Sequence, residues 1–464
     1  MLGKFFVPFL RLAAFSVALF VLSACSTLAP EATIKKPEKA EQDGLKIEHW
    51  QTRAGVKVLF VESHALPILD VRLDFAAGSL FEPAHKPGLA ALTNAMLNLG
   101  AGNFSETEIS NRLADVGAIL STRAGSDSAG LSLRVLTTPE KQEAALQILT
   151  EMLARPRFDA AIFKREKERA IAGLKDSLTR PGTLADRAIT AALYPDHPYG
   201  FLVKPETLAG MTVVELRQFW QKHYVTGGAL ISIVGNLSQV EAQNLSERLS
   251  SALPVRNAPA LPPPPKRLQP GEARTIRVSH PASQAHLYVG TVAIARDDPD
   301  YFPLIVGNYI LGGGGFVSRL MTEVRDKQGY AYSVYSRFSP RKQAGAFEIA
   351  LETRKEQADD ALKLSLSVLS DFLEKGPTAT EVAAAKAYLA GSFPLMLDSN
   401  QKILGQVAAI GLYDLPLDYL ARYRERIEAV QVADIRAAFA RHVQMNRLVS
   451  VIVGVSENTA KNEP

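Results

Sequence analysis

The sequence predicts an α+β protein built from two homologous halves, and three observations carry that expectation. From Ile47 onward, segments with the two-residue alternation of half-buried strands interleave with segments whose apolar residues recur at three- and four-residue spacing. Residues 254–273, PVRNAPALPPPPKRLQPGEA, then interrupt the pattern with seven prolines in twenty residues, too many for a central strand and suited to a semi-rigid linker. After them the same order returns. RLADVGAILSTRAG of the first half lines up with EVRDKQGYAYSVYS of the second, and ALISIVGN with LVSVIVGV, an internal repeat of roughly two hundred residues.

In the first half, IEHWQTRAGVKVLFVESH reads as a hairpin and ILDVRLDFAAGS as a further strand. GLAALTNAMLNLG, residues 88–100, reads as an amphipathic helix with Leu89, Leu92, Met96 and Leu99 on its apolar stripe and Ala91 and Ala95 facing the core beside Asn94. SETEISNRLADVG is a helix opened by Ser105 and closed by Gly117. AILSTRAGSDSAGLSLRVL gives two strands about a turn. TPEKQEAALQILTEML, DAAIFKREKERAIAGLKDSL and VVELRQFWQKHY give helices, and ALISIVGN a buried strand. In the second half TIRVSH and AHLYVGTVA are strands, YFPLIVGNYILGG and SRLMTEVRDKQG helices, and AYSVYSRFSPRKQAGAFEIALE a strand pair. Four more helices, from RKEQADDALKLSLSVLSDFLEKG to VADIRAAFARHV, precede the closing strand LVSVIVGV. The expected domains are therefore 47–253 and 274–456, joined by 254–273 and followed by a tail, 457–464.

Ahead of the folded part, MLGKFFVPFLRLAAFSVALFVLSAC places Lys4 and Arg11 before a short apolar run that ends at small residues, the pattern of a secretory signal rather than a membrane span. Its Leu-Ser-Ala-Cys ending resembles the bacterial lipobox. That resemblance implies cleavage before Cys25, lipid on its thiol and, with Ser26 rather than Asp next, an outer-membrane, periplasm-facing anchor. Cys25 is the sole cysteine, so no intrachain disulfide forms. Residues 26–46, rich in Pro, Lys, Glu and Ala, read as a flexible tether. The net charge of +4 is spread among interspersed acids and bases, which argues against a nucleic-acid partner.

Several chemistries find no support. No two of the eight histidines stand at helical spacing with a carboxylate between them, so no metal site is expected in this chain. His280 and His286, read as one strand, would lie about 20 Å apart. There is no G-x-S-x-G, and a lone cysteine in a lipobox is no nucleophile. LGGGGFVSR lacks the Lys-Ser/Thr of a phosphate loop and reads as a flexible turn opening a helix.

AGSLFEPAHKPGLAALTNAM resembles the pitrilysin and mitochondrial-processing-peptidase family, the inverted-zinc-motif metallopeptidases, which read GLAHFLEHM at the same place. YPDHPYG, FWQKHYVTGGALISIVGN and SRLMTEVRDKQGYAYSVYS also match family patterns in order, so the resemblance spans Ile47 to Val455. It implies two layered domains forming half of a clam-shell peptidase chamber. It also places Ala91 and Ala95 where the family has two zinc-binding histidines, Asn94 where it has the catalytic glutamate, and Ala172 or Gly173 where the distal glutamate ligand belongs. No zinc is therefore expected in this chain.

The resemblance further implies roles for Arg325 and Tyr332, which share the family's seven-residue spacing: substrate anchoring for the arginine and oxyanion contact for the tyrosine. Without the family pattern, Arg325 would read as a surface helix residue and Tyr332 as a core-packed strand residue. The expected function is the zinc-less subunit of a heteromeric periplasmic endopeptidase. It would be inactive alone, paired with a homologous HxxEH subunit that holds the zinc, and act on peptides or unfolded proteins. The alternative is a catalytically inactive scaffold or peptide-binding lipoprotein, as the respiratory-complex core subunits of the same fold illustrate. The two separate on whether Arg325 and Tyr332 face a large internal cavity or the core.

Overall fold

The computed structural model describes residues 45–269 and 271–455. The signal segment 1–25 with Cys25, most of the tether and the tail 457–464 lie outside the described residues. No helix among the described residues is long and apolar enough to cross a membrane.

Among the described residues, eleven strands form two sheets. The first contains β1 (Glu48–Gln51), β2 (Lys57–Glu62), β3 (Ile68–Phe75), β4 (Ile119–Ala124), β5 (Ala129–Leu136) and β6 (Leu230–Gly235), ordered β1-β2-β6-β3-β5-β4. The second contains β7 (Arg274–Ser279), β8 (Gln284–Val292), β9 (Ala331–Ser339), β10 (Ala346–Arg354) and β11 (Val449–Val455), ordered β7-β11-β8-β10-β9. With β1 set aside the two orders are the same. The pairs β2–β6 and β7–β11 are parallel, and the other neighbours are antiparallel. The repeat read from two pairs of sequence segments is thus a repeat of topology. The second sheet has no counterpart of β1, and the chain ahead of β7 is proline-rich; proline has no N–H to donate to a ladder. Residues 254–269 are neither helix nor strand. His280 follows β7 in the turn and His286 lies within β8, so the two do not share one strand as read.

The helices of the first half are α1 (Leu89–Ala95), α2 (Glu106–Asp115), α3 (Pro139–Ala154), α4 (Ala160–Ser177), α5 (Pro181–Leu193), α6 (Pro205–Ala209), α7 (Val213–His223) and α8 (Gln239–Ser251). Those of the second are α9 (Tyr301–Asn308), α10 (Ala358–Lys375), α11 (Ala379–Ser392), α12 (Asn400–Leu412), α13 (Tyr423–Ala429) and α14 (Val432–His442). Sequence chemistry sets their starts. Ser105, Thr212, Ser238 and Thr378 each bond the backbone three residues on, while Glu108, Glu215, Glu241 and Glu381 reach back.

Two helices cross between the halves. From the second half, α12 lays Leu404, Val407 and Ile410 against Leu59, Val61, Leu230 and Val234 of the first sheet. A Cβ on Gly411 would stand 2.6 Å from the Leu230 methyl groups, so a larger residue there would have to push the Leu230 and Leu59 side chains aside. From the first half, α5 packs Ala185, Ile189 and Leu193 on Val449, Val451 and Val453 of the second sheet. The sequence reading passed over α5, α6, α8 and α12, and so over both exchanged helices.

Candidate functional site

In the first half, α1 occupies the zinc-helix position. Its buried residues are Leu89, Ala90, Leu92, Thr93 and Asn94, so the core takes one face of seven residues. The expectation that Ala91 and Ala95 face the core fails: Ala91 is exposed and Ala95 half-buried, because they share the stripe that this apolar face leaves outside. Asn94 is the buried member of the trio. Its Nδ2 donates to Gly130 O at 3.1 Å and to Tyr224 Oη at 3.0 Å, tying α1 to β5 and to the end of α7. Glu82 fixes the other end of α1. Its carboxylate accepts the N–H groups of Gly88 at 3.1 Å and Ala90 at 2.7 Å. Burial pushes its pKa up to about 7 in spite of those bonds.

Ala91 and Ala95 carry methyl groups and Asn94 a committed amide, while Ala172 and Gly173 on α4 are exposed and bear no ligand atom. These residues do not fit a zinc ion. One trio with metal-ligand chemistry, Asp298, Asp300 and His442, does converge among the described residues. There Arg441 clasps Asp300 at 2.8 and 2.6 Å and Arg267 stands 3.2 Å from His442 Nδ1, so the charge is already matched by protein.

The second half is built differently at the matching place. After α9 the chain forms a π-helical turn, Tyr309–Gly313, a glycine run, and a second π-helical segment, Met321–Lys327. Such wide turns are uncommon and are found disproportionately at functional sites. Arg319 anchors the second segment: it grips Glu381 through two bonds of 2.7 Å and Gly376 O at 3.1 Å, and this pairing draws the Glu381 pKa down to about 2. The glycine run leaves Phe316 and Val317 exposed at 70% and 74%.

Arg325 lies on the second π segment and Tyr332 near the start of β9. Their side chains meet: the Arg325 guanidinium carbon stands 5.6 Å from the Tyr332 ring centre and 4.9 Å from that of Phe316. Its salt-bridge partner is its neighbour Asp326, at 3.3 Å. A guanidinium held over ring faces keeps its in-plane N–H edge available. Tyr332 is 87% exposed, so it is not a core residue.

The exposure of Tyr332 has a backbone cause. Leu351 of β10 pairs with Val334 and Thr353 with Ala331, so Tyr332 and Ser333 together face the single residue Glu352. This is a β-bulge in the edge strand, a device that re-aims side chains. It turns two consecutive residues outward, in a strand that otherwise alternates buried and exposed. The sequence carried the signal in Ala331-Tyr332-Ser333-Val334, where two polar residues separate two apolar ones. Phe316, Arg319 and the bulge were all missed by sequence reading.

Comparison with known proteins bears on the family and the fold. Residues 57–203 match the family described as insulinase (peptidase family M16), and residues 210–389 match the peptidase M16 inactive domain. The crystal structure of a peptidase M16 inactive domain from Pseudomonas fluorescens superposes with a TM-score of 0.85 at 38% identity, covering 89% of this chain and 98% of that one. The non-peptidase homolog YmxG of Helicobacter pylori is 25% identical over 405 residues, 86% of this chain and 92% of that protein. The periplasmic protease PqqL from Escherichia coli shares the fold with a TM-score of 0.76 at 18% identity, over 88% of this chain and 45% of that one. The chain therefore belongs to the insulinase-like M16 peptidase family.

Proposed function

We propose that this chain is the non-zinc-binding subunit of a two-chain M16 endopeptidase, presenting Arg325 and Tyr332 to a partner that carries HxxEH and the zinc. The observation that carries the reading is the contrast within one chain. The first half has methyl groups at positions 91 and 95 and a committed amide at 94, while the second holds a half-buried arginine beside an exposed tyrosine, on a π segment and a bulged edge strand. Their chemistry suits a peptide backbone. The Tyr332 phenol is a neutral donor for an oxyanion as it develops, and the Arg325 fork is a permanently charged donor set for substrate carbonyls. Substrates are peptides or unfolded proteins. The likeness to a periplasmic protease supports a periplasmic location, and the Leu-Ser-Ala-Cys25 sequence supports a lipid anchor, most consistent with the outer membrane.

The test is reconstitution. This chain is mixed with the HxxEH chain and cleavage of a fluorogenic peptide is followed, with assembly checked by size. Neither chain alone is expected to cleave. Tyr332→Phe should lower turnover by about a hundred- to a thousandfold at unchanged assembly, as expected for loss of one oxyanion donor. Arg325→Ala should raise KM as well. Full activity in both variants would leave an inactive peptide-binding or scaffold protein as the better reading.

A further inference from the structure

We propose that the hollow beside Tyr332, on the part of the second sheet that α5 leaves uncovered toward β10 and β9, is a subsite for a basic side chain, lysine or arginine, of an extended peptide. This rests on the reading that Arg325 and Tyr332 hold a peptide backbone, and it adds a substrate class to it.

The register builds the hollow. Ala350 of β10 lies opposite Tyr288 of β8 on one side and Tyr335 of β9 on the other. A small residue between two large rings leaves a depression with aromatic walls. One step along the same face, Glu352 pairs across with His286, and the bulge brings Tyr332 and Ser333 to its other side. The result is a cleft of about 210 Å³ with Tyr288, Tyr332, Tyr335, His286 and Glu352 in its lining.

The charges in this cleft are one-sided. No lysine or arginine lines it. Arg337, further along β9, is spoken for by Glu348 at 2.8 Å. Arg325 stacks on the Tyr332 ring but is not part of the lining. Glu352 has its side chain 60% exposed, with its carboxylate 3.4 Å from His286 Nδ1 and no lysine or arginine within salt-bridge distance among the described residues. Phenol rings about a carboxylate recognise cations through ring faces and a charge-assisted hydrogen bond together. A neutral side chain would gain the ring contacts alone, and an acidic one would meet Glu352 as a like charge.

The test is direct binding by the full chain, read as fluorescence anisotropy. Three labelled nonapeptides of one Ala/Gly sequence differ in a single central residue: lysine, norleucine or glutamate. Lysine should bind about tenfold more tightly than norleucine, because an exposed ion pair and a cation–π contact each contribute modestly. Glutamate should bind most weakly. Glu352→Gln should bring the lysine-to-norleucine ratio close to one, with folding verified by circular dichroism. Ala350→Leu, which fills the hollow, should do the same without changing any charge. Equal affinities in the unaltered chain, a lysine preference that survives Glu352→Gln, or no lysine-peptide binding up to millimolar concentration would each overturn the proposal. Arg325→Ala separates this from the reading beneath it. It should weaken all three peptides by a similar factor. If it has no effect while the Glu352-dependent preference persists, the subsite stands and the backbone-anchoring role falls.

Discussion

Gly117 and Gly329 hold the same place in the two halves, each ending a helical segment with φ of +65°, and the chain around them has been put to different uses. Four residues before the glycine stands Leu113 in the first half and Arg325 in the second; three residues after it stand Leu120 and Tyr332. Leu113 is buried and Leu120 packs on the first core, whereas Tyr332 is open to solvent. The first half reaches its glycine through a regular helix with a reciprocal cap, Ser105 with Glu108, and continues into a strand in even register. The second reaches it through a π-helical segment and continues into a bulge. Equivalent positions on a repeated fold can therefore serve packing in one copy and presentation in the other. The local irregularities are what move a side chain from the first use to the second.

The contrast breaks most sharply at its paired positions. Leu113→Ala should cost about 2–4 kcal/mol of unfolding free energy, from lost burial and the cavity left behind. Arg325→Ala, at the matching place, should cost no more than about 1 kcal/mol, the worth of its contacts with the Phe316 and Tyr332 rings. Denaturant titration of the two variants measures both, and comparable losses would mean that Arg325 is held for structure.

A smaller effect separates a helix kept for packing from one kept for chemistry. The folded pKa of Glu82, about 7, lies above its ordinary value of 4.5, so the folded state binds this proton more tightly. Its contribution is complete below about pH 4.5 and is lost as pH rises through 7, a change on the order of 3 kcal/mol. Melting temperature against pH for the unaltered chain and Glu82→Gln should converge at the acid end and separate toward neutral pH, the glutamine variant being the flatter. Parallel curves would show that the carboxyl stays ionised throughout.

The smallest effect sharpens the reading of Asn94. Asn94→Leu keeps the branched outline but removes the donor to the Gly130 carbonyl and the Tyr224 hydroxyl at this buried contact and adds bulk, and should cost about 1–3 kcal/mol. A loss below about 0.3 kcal/mol would mean that the amide is not a structural donor, and a role for α1 beyond packing would have to be sought.

Much of this was legible in the chain itself. Period-two and period-3.6 patterns located the strands and most helices, because each such element buries a single face. The segments about Gly117 and Gly329 disclosed the repeat, because a helix that ends in left-handed backbone favours glycine in both copies. That positions 91 and 95 offer no zinc ligand was legible too, since a methyl group has no lone pair wherever it is placed. Other features belong to tertiary structure alone. Which way Ala91 and Ala95 face was settled by the competition between Leu89, Leu92 and Thr93 for one sheet. That α5 and α12 trade places depends on two sheets each offering a second apolar face, which no local pattern records. Tyr332 is exposed because one residue of β10 opposes two of β9, and Arg325 meets its ring because a π segment ends beside that bulge. Sequence specifies which residues are present and the period at which they recur. Register, bulges and the partner across a gap are fixed only when strands far apart in the chain pair, because the hydrogen bonds and contacts that choose between them exist only then.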